Sequence, residues 1–503
     1  MMIRLTKSWN GSACSRAGWW LGLVGVGSFL ATCATAQTFT NLHSFNNDDG
    51  AFPQAGLILS SNTLYGAAQY GGNQGNGTLF ALLTDGSGFT NLHHFTATTV
   101  SNGVMFPYYT NSDGANPAAG LIWASNVLFG TAVFGGSGGA GTLFKVNTDG
   151  TGFTNVYTFS AVSDSNSPRT NSDGANPTAA LVLMDNTLYG TAEDGGSGGA
   201  GTVFRVNADG SGFTNLHNFT EVTTTNTDGA FPRAGLILSD NSLYGTTYRG
   251  GFFGAGTVFR VNTDGSGFTN LHNFTGSSDG GNPQAGLVLS GNILYGTASA
   301  GGSVGTNGTV FRINTDGTAF TNLYGFTGSS DGEDPRGALI LPGSTLYGTA
   351  YSGGDSGHGT IYSVKTNGQF FTAMYSYTAG TGSYLNPTNS DGAFPADGLI
   401  LSGNMLYGTA IRGGPGGVGT VFRLTVVRPT PVFQAVTLTN KTVSLTWTTL
   451  TGELYQLQYK SNVNSGNWSN LLGSAVAAAG ATLSATDSVT NSSRRFYRAV
   501  LLP

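Results

Sequence analysis

Gly56-Leu57-Ile58-Leu59, Thr63-Leu64-Tyr65-Gly66-Ala67-Ala68, Thr78-Leu79-Phe80-Ala81-Leu82 and Phe89-Thr90-Asn91-Leu92-His93-His94-Phe95 are four short apolar runs. They are separated by Ser61-Asn62, by a glycine-rich loop from Gly71 to Gly77, and by Thr84-Asp85-Gly86-Ser87-Gly88. Runs of four to seven β-branched, aromatic and leucine residues between turn residues predict strands, here named A, B, C and D. The strand B signature Leu-Tyr-Gly returns at Gly66, Gly130 (with Phe129 for Tyr), Gly190, Gly245, Gly296, Gly348 and Gly408, in steps of 64, 60, 55, 51, 52 and 60 residues. Such steps exceed a β-helix coil and suit a four-stranded propeller blade of ~40 to 50 residues plus loops.

The C-to-D turns read Asp-Gly at Asp85, Asp149, Asp209, Asp264 and Asp316, and Asn367-Gly368 in a sixth repeat. These suit hairpins and predict antiparallel neighbours. Glycine inside strand B lowers strand propensity, so it needs a packing reason. Close approach of backbones near a central axis would supply one.

A lone D-type run, Phe39 to Phe45, precedes the first strand A, and the last repeat stops at its strand C, Thr420 to Leu424. The array then holds 28 strands in seven sets of four, the first run completing the last set. The expected fold is all-β: a seven-bladed β-propeller over 37–426 closed by its N-terminal strand, which removes two open sheet edges.

The order Gly-Leu-Ile-Leu, Leu-Tyr-Gly-Thr, a Gly-Gly loop, Gly-Thr-Val-Phe-Arg and Leu-His-x-Phe resembles the Gloeobacter/Verrucomicrobia-type tandem repeat, often called the GloVer repeat, across roughly 39 to 424. The resemblance implies a secreted or surface protein of bacteria. It brings no catalytic residues to carry over.

Of 503 residues, 80 are Gly and only 9% are charged. No Gly-X-Y period exists, and the glycines alternate with apolar runs, which argues for turns between strands over collagen or disorder. Arg4, Lys7 and Arg16, an apolar stretch from Trp19 to Ala31, and Ala34-Thr35-Ala36 before Gln37 read as a secretory signal peptide, 1–36, cleaved after Ala36. Leu30-Ala31-Thr32-Cys33 is similar to a lipoprotein processing site, with an unusual Thr before Cys33. Both cysteines, Cys14 and Cys33, fall in the leader, so the mature chain carries no disulfide. Cleavage leaves 17 Lys+Arg against 25 Asp+Glu, a net −8, which disfavours nucleic acid. We expect no transmembrane segment in the mature chain, no cofactor, and a monomer.

After a linker, 427–431, the repeat stops. Val443-Ser444-Leu445-Thr446-Trp447, Tyr455-Gln456-Leu457-Gln458-Tyr459 and Phe496-Tyr497-Arg498-Ala499-Val500 alternate in period two. This segment, 432–503, resembles a short fibronectin type III or immunoglobulin-like sandwich with a buried Trp.

Every repeat places Asp-Gly-x-x-Pro before strand A, beginning at Asp49, Asp113, Asp173, Asp228, Asp279, Asp331 and Asp391. A ring of seven carboxylates could attract Ca²⁺, but one ligand per repeat lacks the clustering a cation needs. The expected role is a turn, with Asp accepting a backbone N–H, Gly at positive φ and Pro starting the strand. No metal site is expected. His43, His93, His217 and His272 share one strand D position with Tyr157, Tyr324 and Tyr375, which reads as packing. His94 is adjacent and His358 sits in a glycine-rich loop. The Gly-Gly loops lack the Lys-Ser/Thr of a phosphate loop. The strand C basics Lys145, Arg205, Arg260, Arg312 and Arg423 read as a solvated edge.

The D-to-A connections contract to Gly276-Ser277-Ser278 and Gly328-Ser329-Ser330 but swell over Thr96–Ser112, Ser160–Ser172 and Thr378–Ser390. These share a face with the B-to-C loops. Phe106, Tyr108, Tyr109 and Tyr384 in the insertions, with Tyr70 and Phe134 in B-to-C loops, suit sugar stacking or protein contact. The expected function is a secreted or surface-associated, non-enzymatic binding scaffold for an extracellular glycan or protein. A polysaccharide-active hydrolase or lyase and a structural envelope component are the alternatives; no acid–base pair stands out to support catalysis.

Overall fold

A computed structural model describes residues 4–5, 37–101, 108–163, 169–220, 226–303, 305–383, 386–426, 431–440, 442–449, 454–461, 467–471, 475–478, 480, 482–488 and 495–501. Two compact units divide the chain: Gln37–Leu341 with Thr345–Val426, and the remainder. The described residues are all-β, without a helix, and no helix is long and apolar enough to cross a membrane.

In the first unit the repeats form successive antiparallel sheets in the order A-B-C-D. Repeat 1 runs Ile58–Ser60, Thr63–Ala68, Thr78–Leu83 and Thr90–His94. Five further sheets have four strands, and repeat 6 has three. Its strand A shrinks to the bridge Ile340 to Tyr347. Pro342 stands where repeat 1 has Ser60, and proline has no N–H for a further rung. In the last sheet, Phe39–Ser44 pairs with Thr420–Thr425, matching Phe39 to Leu424 and Ser44 to Thr420.

Apolar clusters lie between consecutive sheets. Phe95 and Leu79 of repeat 1 meet Phe144 and Leu128 of repeat 2. Phe45, Leu57 and Phe80 likewise meet Tyr407 and Val421 of repeat 7. The strand B glycine has a different reason from the one expected. Gly66 lies opposite Phe80 of its own strand C, and a Cβ there would sit 2.5 Å from the ring's Cζ and 2.9 Å from Leu57. The missing side chain makes room for a core phenylalanine, and no neighbouring backbone takes the space.

Hydrogen bonds join the repeats across the residue before each proline. Asn116 N–H donates to Asn76, Asn176 to Ala140, Phe231 to Ala200, Asn282 to Ala255, Asp334 to Asn307 and Phe394 to His358, while Phe52 donates to Val418 of repeat 7. All seven hold φ between 52° and 60°, costly for a phenylalanine and tolerated where this inter-repeat bond fixes the backbone. The strand C basics also differ from a solvated edge. Lys145 reaches Ala208 O in repeat 3, Arg205 reaches Thr263 O in repeat 4, and Arg423 reaches Thr84 O in repeat 1, at 3.4–3.5 Å.

The second unit holds two sheets around one core. Phe433–Thr439, Thr442–Thr448 and Thr482–Ser488 form one. Leu454–Lys460 and Phe496–Leu501 lead the other, with Arg4–Leu5 parallel to Phe496–Tyr497. Val443, Leu445 and Trp447 pack with Tyr455, Leu457 and Tyr497, all buried.

Candidate functional site

The ring of aspartates and the His/Tyr position of strand D prove to be one constellation. His43 meets Asp49 at 3.0 Å, His93 Asp113 at 2.9 Å, His217 Asp228 at 3.1 Å and His272 Asp279 at 3.0 Å. Tyr157, Tyr324 and Tyr375 donate to Asp173, Asp331 and Asp391 at 2.9, 2.8 and 2.7 Å. The same carboxylates accept the backbone N–H that follows strand D, for instance that of Ser160, Thr327 and Thr378 at 2.9 Å. The aspartate therefore clamps the two ends of the D-to-A connection, a longer-range job than the local turn expected of it. The glycine after it does take positive φ, 101° at Gly114.

Each of these rings also lies flat on a phenylalanine, as His93 does on Phe153 at 3.7 Å. Burial works against ionisation of Asp113, yet hydrogen bonds from His93 and Thr96 outweigh it and hold the carboxyl below the usual range. Burial lowers His272, which favours its neutral form. Tyrosine serves the same bond in three repeats, so the His–Asp pairs hold the same place as fasteners of the connection.

Side chains that break the repeat converge elsewhere. The residue after each Asp-Gly-x-x-Pro, with the residues that follow strand B in repeats 1 to 3, lines a cavity of about 660 Å³ to which all seven repeats contribute. Bridges such as Ala51 to Tyr70 and Ala115 to Phe134 hold the D-to-A and B-to-C connections side by side at its mouth. Tyr70 and Phe134 line the cavity and remain 43% and 41% exposed, enough ring face to stack a ligand. Arg233 is held by Glu193 at 2.7 Å and lies 3.9 Å from the Tyr248 ring centre. Arg336 repeats the arrangement with Asp334 and the Tyr351 ring. Asp397 reaches Gly56 N–H at 2.5 Å and Gly398 N–H at 2.6 Å. Burial pushes its carboxyl up to about 6 against those two bonds, and its remaining accessible surface faces the cavity. Burial and Glu193 also push Asp194 up to about 6.

Tyr109, another of the expected aromatics, is not among the residues that line this cavity. Phe106 and Tyr384 lie outside the described residues. Tyr108 and Tyr109 belong to a hairpin, Tyr108–Thr110 against Thr99–Ser101, where Tyr109 is exposed. Sequence reasoning missed Arg233, Arg336 and Asp397; aligning the residues just after each Asp-Gly-x-x-Pro would have found them. It also missed Phe252 and Phe253, exposed on the repeat 4 loop where repeat 1 has Asn73 and Gln74. Among the described residues no group of three or more His, Cys, Asp or Glu could hold a metal ion.

The family model described as Gloeobacter/Verrucomicrobia repeat matches residues 22–171, 169–305 and 279–387. No curated protein matches the chain. Solved structures similar to it include an oligogalacturonate lyase in complex with manganese, with 12% identity, 79% of this chain and 95% of that one covered, and a TM-score of 0.44. A Mycobacterium tuberculosis puromycin-hydrolyzing peptidase shares 10% identity over 80% of this chain and 58% of its own, at 0.45. TolB from Acinetobacter baumannii shares 11% over 74% and 79%, at 0.34.

Proposed function

The chain belongs to the Gloeobacter/Verrucomicrobia repeat family, and from that frame we propose a secreted or surface-associated, non-enzymatic binding scaffold that takes an extracellular glycan into the seven-repeat cavity. The frame is a closed seven-bladed propeller. Supporting closure are the pairing of Phe39–Ser44 with Thr420–Thr425, the Phe52 N–H bond to Val418, and the Thr409 Oγ1 bond to Ala55 O at 3.2 Å. The C-terminal unit is a fibronectin type III or immunoglobulin-like spacer, supported by two sheets sharing the Trp447 core. The leader, 1–36, directs export and is removed after Ala36.

One observation carries the binding reading: the positions that abandon the repeat gather around one cavity, with aromatic faces and arginines fixed by neighbouring carboxylates. Preformed clefts of this size suit small ligands, and rigid aromatic and bidentate groups suit sugar rings and hydroxyls. A glycan array read with Tyr70→Ala and Phe134→Ala, beside Tyr108→Ala, Tyr109→Ala and Tyr384→Ala, tests it. Signal lost in the first pair supports the cavity. Loss confined to the second group moves the site to the insertions, and absence of signal from the parent protein refutes glycan binding and leaves a protein ligand.

Asp397 favours one second reading, a hydrolase or lyase, because a carboxyl raised to about 6 can act as an acid. Such chemistry needs a second free carboxylate, and Glu193 is held by Arg233. Reducing-sugar release from a polysaccharide panel by the parent protein, abolished in Asp397→Asn, would establish the enzyme reading.

A further inference from the structure

After the proline and one more residue, six repeats carry a small side chain: Ala55, Ala119, Ala179, Ala234, Ala285 and Gly337. Repeat 7 carries Asp397. Its two oxygens are fixed by the N–H groups of Gly56 and Gly398, one from the first repeat and one from its own. The cavity's arginines are committed elsewhere, Arg233 to Glu193 and Arg336 to Asp334. Among the described residues, no side-chain cation pairs with Asp397. Thr178 Oγ1, on the wall of the same cavity, is buried without a hydrogen-bond partner.

A carboxylate enclosed without a counter-ion costs free energy that an alanine at the same place avoids. A cation arriving with the ligand would offset that cost, and the open Tyr70 and Phe134 faces at the mouth favour a cation as well as a sugar ring. We propose that Asp397 receives an ammonium group, so that the glycan of the preceding reading carries a free amino sugar. The proposal rests on the cavity being the binding site.

The test is titration calorimetry at pH 6.5 with the glucosamine tetrasaccharide and its fully N-acetylated counterpart. The parent protein, Asp397→Ala and Asp397→Asn are compared, with Tyr70→Ala as the control for the cavity. The parent should prefer the free amine by at least about tenfold, since the charge-assisted bond forms only with an ammonium. Both Asp397 variants should lose that preference while Asp397→Ala melts no lower than the parent at pH 6.5, so that lost binding is not lost fold. Affinity for the free amine should also fall below pH 6 as Asp397 takes up its proton. Burial pushes Asp194 into the same range, and Glu193, Arg233 and Arg336 with its partner Asp334 are the charged groups at or beside the cavity, so the variants decide. Equal binding of both sugars, or a preference that survives in Asp397→Ala, overturns the proposal; sensitivity of that binding to Tyr70→Ala would leave the cavity reading intact. If neither sugar binds, the amino-sugar assignment fails, and the glycan array decides the cavity separately.

Discussion

Phe45→Ala asks whether the N-terminal strand is an ornament or a structural part of the first unit. Phe45 is fully buried and packs with Leu57, Phe80, Tyr407 and Val421, residues from both ends of the array. It meets Phe80 edge-on at 5.3 Å, and Phe219 meets Phe259 in the same way at 5.5 Å in the middle of the chain. Removing such a ring leaves a cavity and costs about 3–5 kcal/mol. At about 2.1 cal/mol/K per residue, a unit of about 390 residues has a melting entropy near 0.8 kcal/mol/K, so the expected drop in Tm is about 4–6 °C. Calorimetry on the chain beginning at Gln37 would compare Phe45→Ala with Phe219→Ala. Equal drops and a single transition follow if the ends are joined into one cooperative body. A Phe45→Ala protein that melts with the parent, while Phe219→Ala drops, refutes the joined ends.

Tyr362 and Tyr377 occupy positions that are Phe80 and Phe95 in repeat 1, fully buried, with hydroxyls that have no partner. Tyr362→Phe and Tyr377→Phe should each raise stability by about 1 kcal/mol, read as a higher denaturation midpoint; a loss would mean the hydroxyl is bonded. Asp113, Asp228 and Asp331 are held below the usual carboxylate range, burial opposing and hydrogen bonds prevailing. Their contribution is therefore present above about pH 4 and is lost as pH falls through their folded values, so Asp113→Asn should flatten the decline of Tm between about pH 4 and 2. Asp397 has the opposite sign: burial raises it to about 6, so its ionisation penalises the fold increasingly from about pH 4 to 6 and constantly above. Asp397→Ala should accordingly compare better with the parent at pH 8 than at pH 4, and the reverse order would contradict its burial.

Strand order was legible because the same four apolar runs recur, each bounded by turn residues. The D-type run at Phe39 could be matched to the open strand at Thr420 by counting alone, and the two pair in register. Repeat 6 was less legible, since Pro342 removes strand A's rungs at a position where pattern reasoning saw another Leu-Ile-Leu. The strand B glycine was noticed and misread. Its neighbour is the strand C phenylalanine across the ladder, a pairing that emerges only when register is known.

The site was legible in part for a similar reason. His93 and Asp113 are twenty residues apart and His43 and Asp49 six, so the insertion between them hides a bond that is constant in space. The repeat supplied a covariation that could have exposed it, because tyrosine and histidine alternate at the one position able to donate to the aspartate. Tyr70 and Phe134 were found as exposed loop aromatics, whereas Asp397 lies just past the Asp-Gly-x-x-Pro set and just ahead of strand A, where the repeats were not compared. Constancy across seven copies marks what holds the sheets together. A lone carboxylate among six small residues costs stability at neutral pH and fastens only two N–H groups. Its cost is intelligible if the cavity holds a cation that none of the described residues provides, which is why substitution there separates binding from folding.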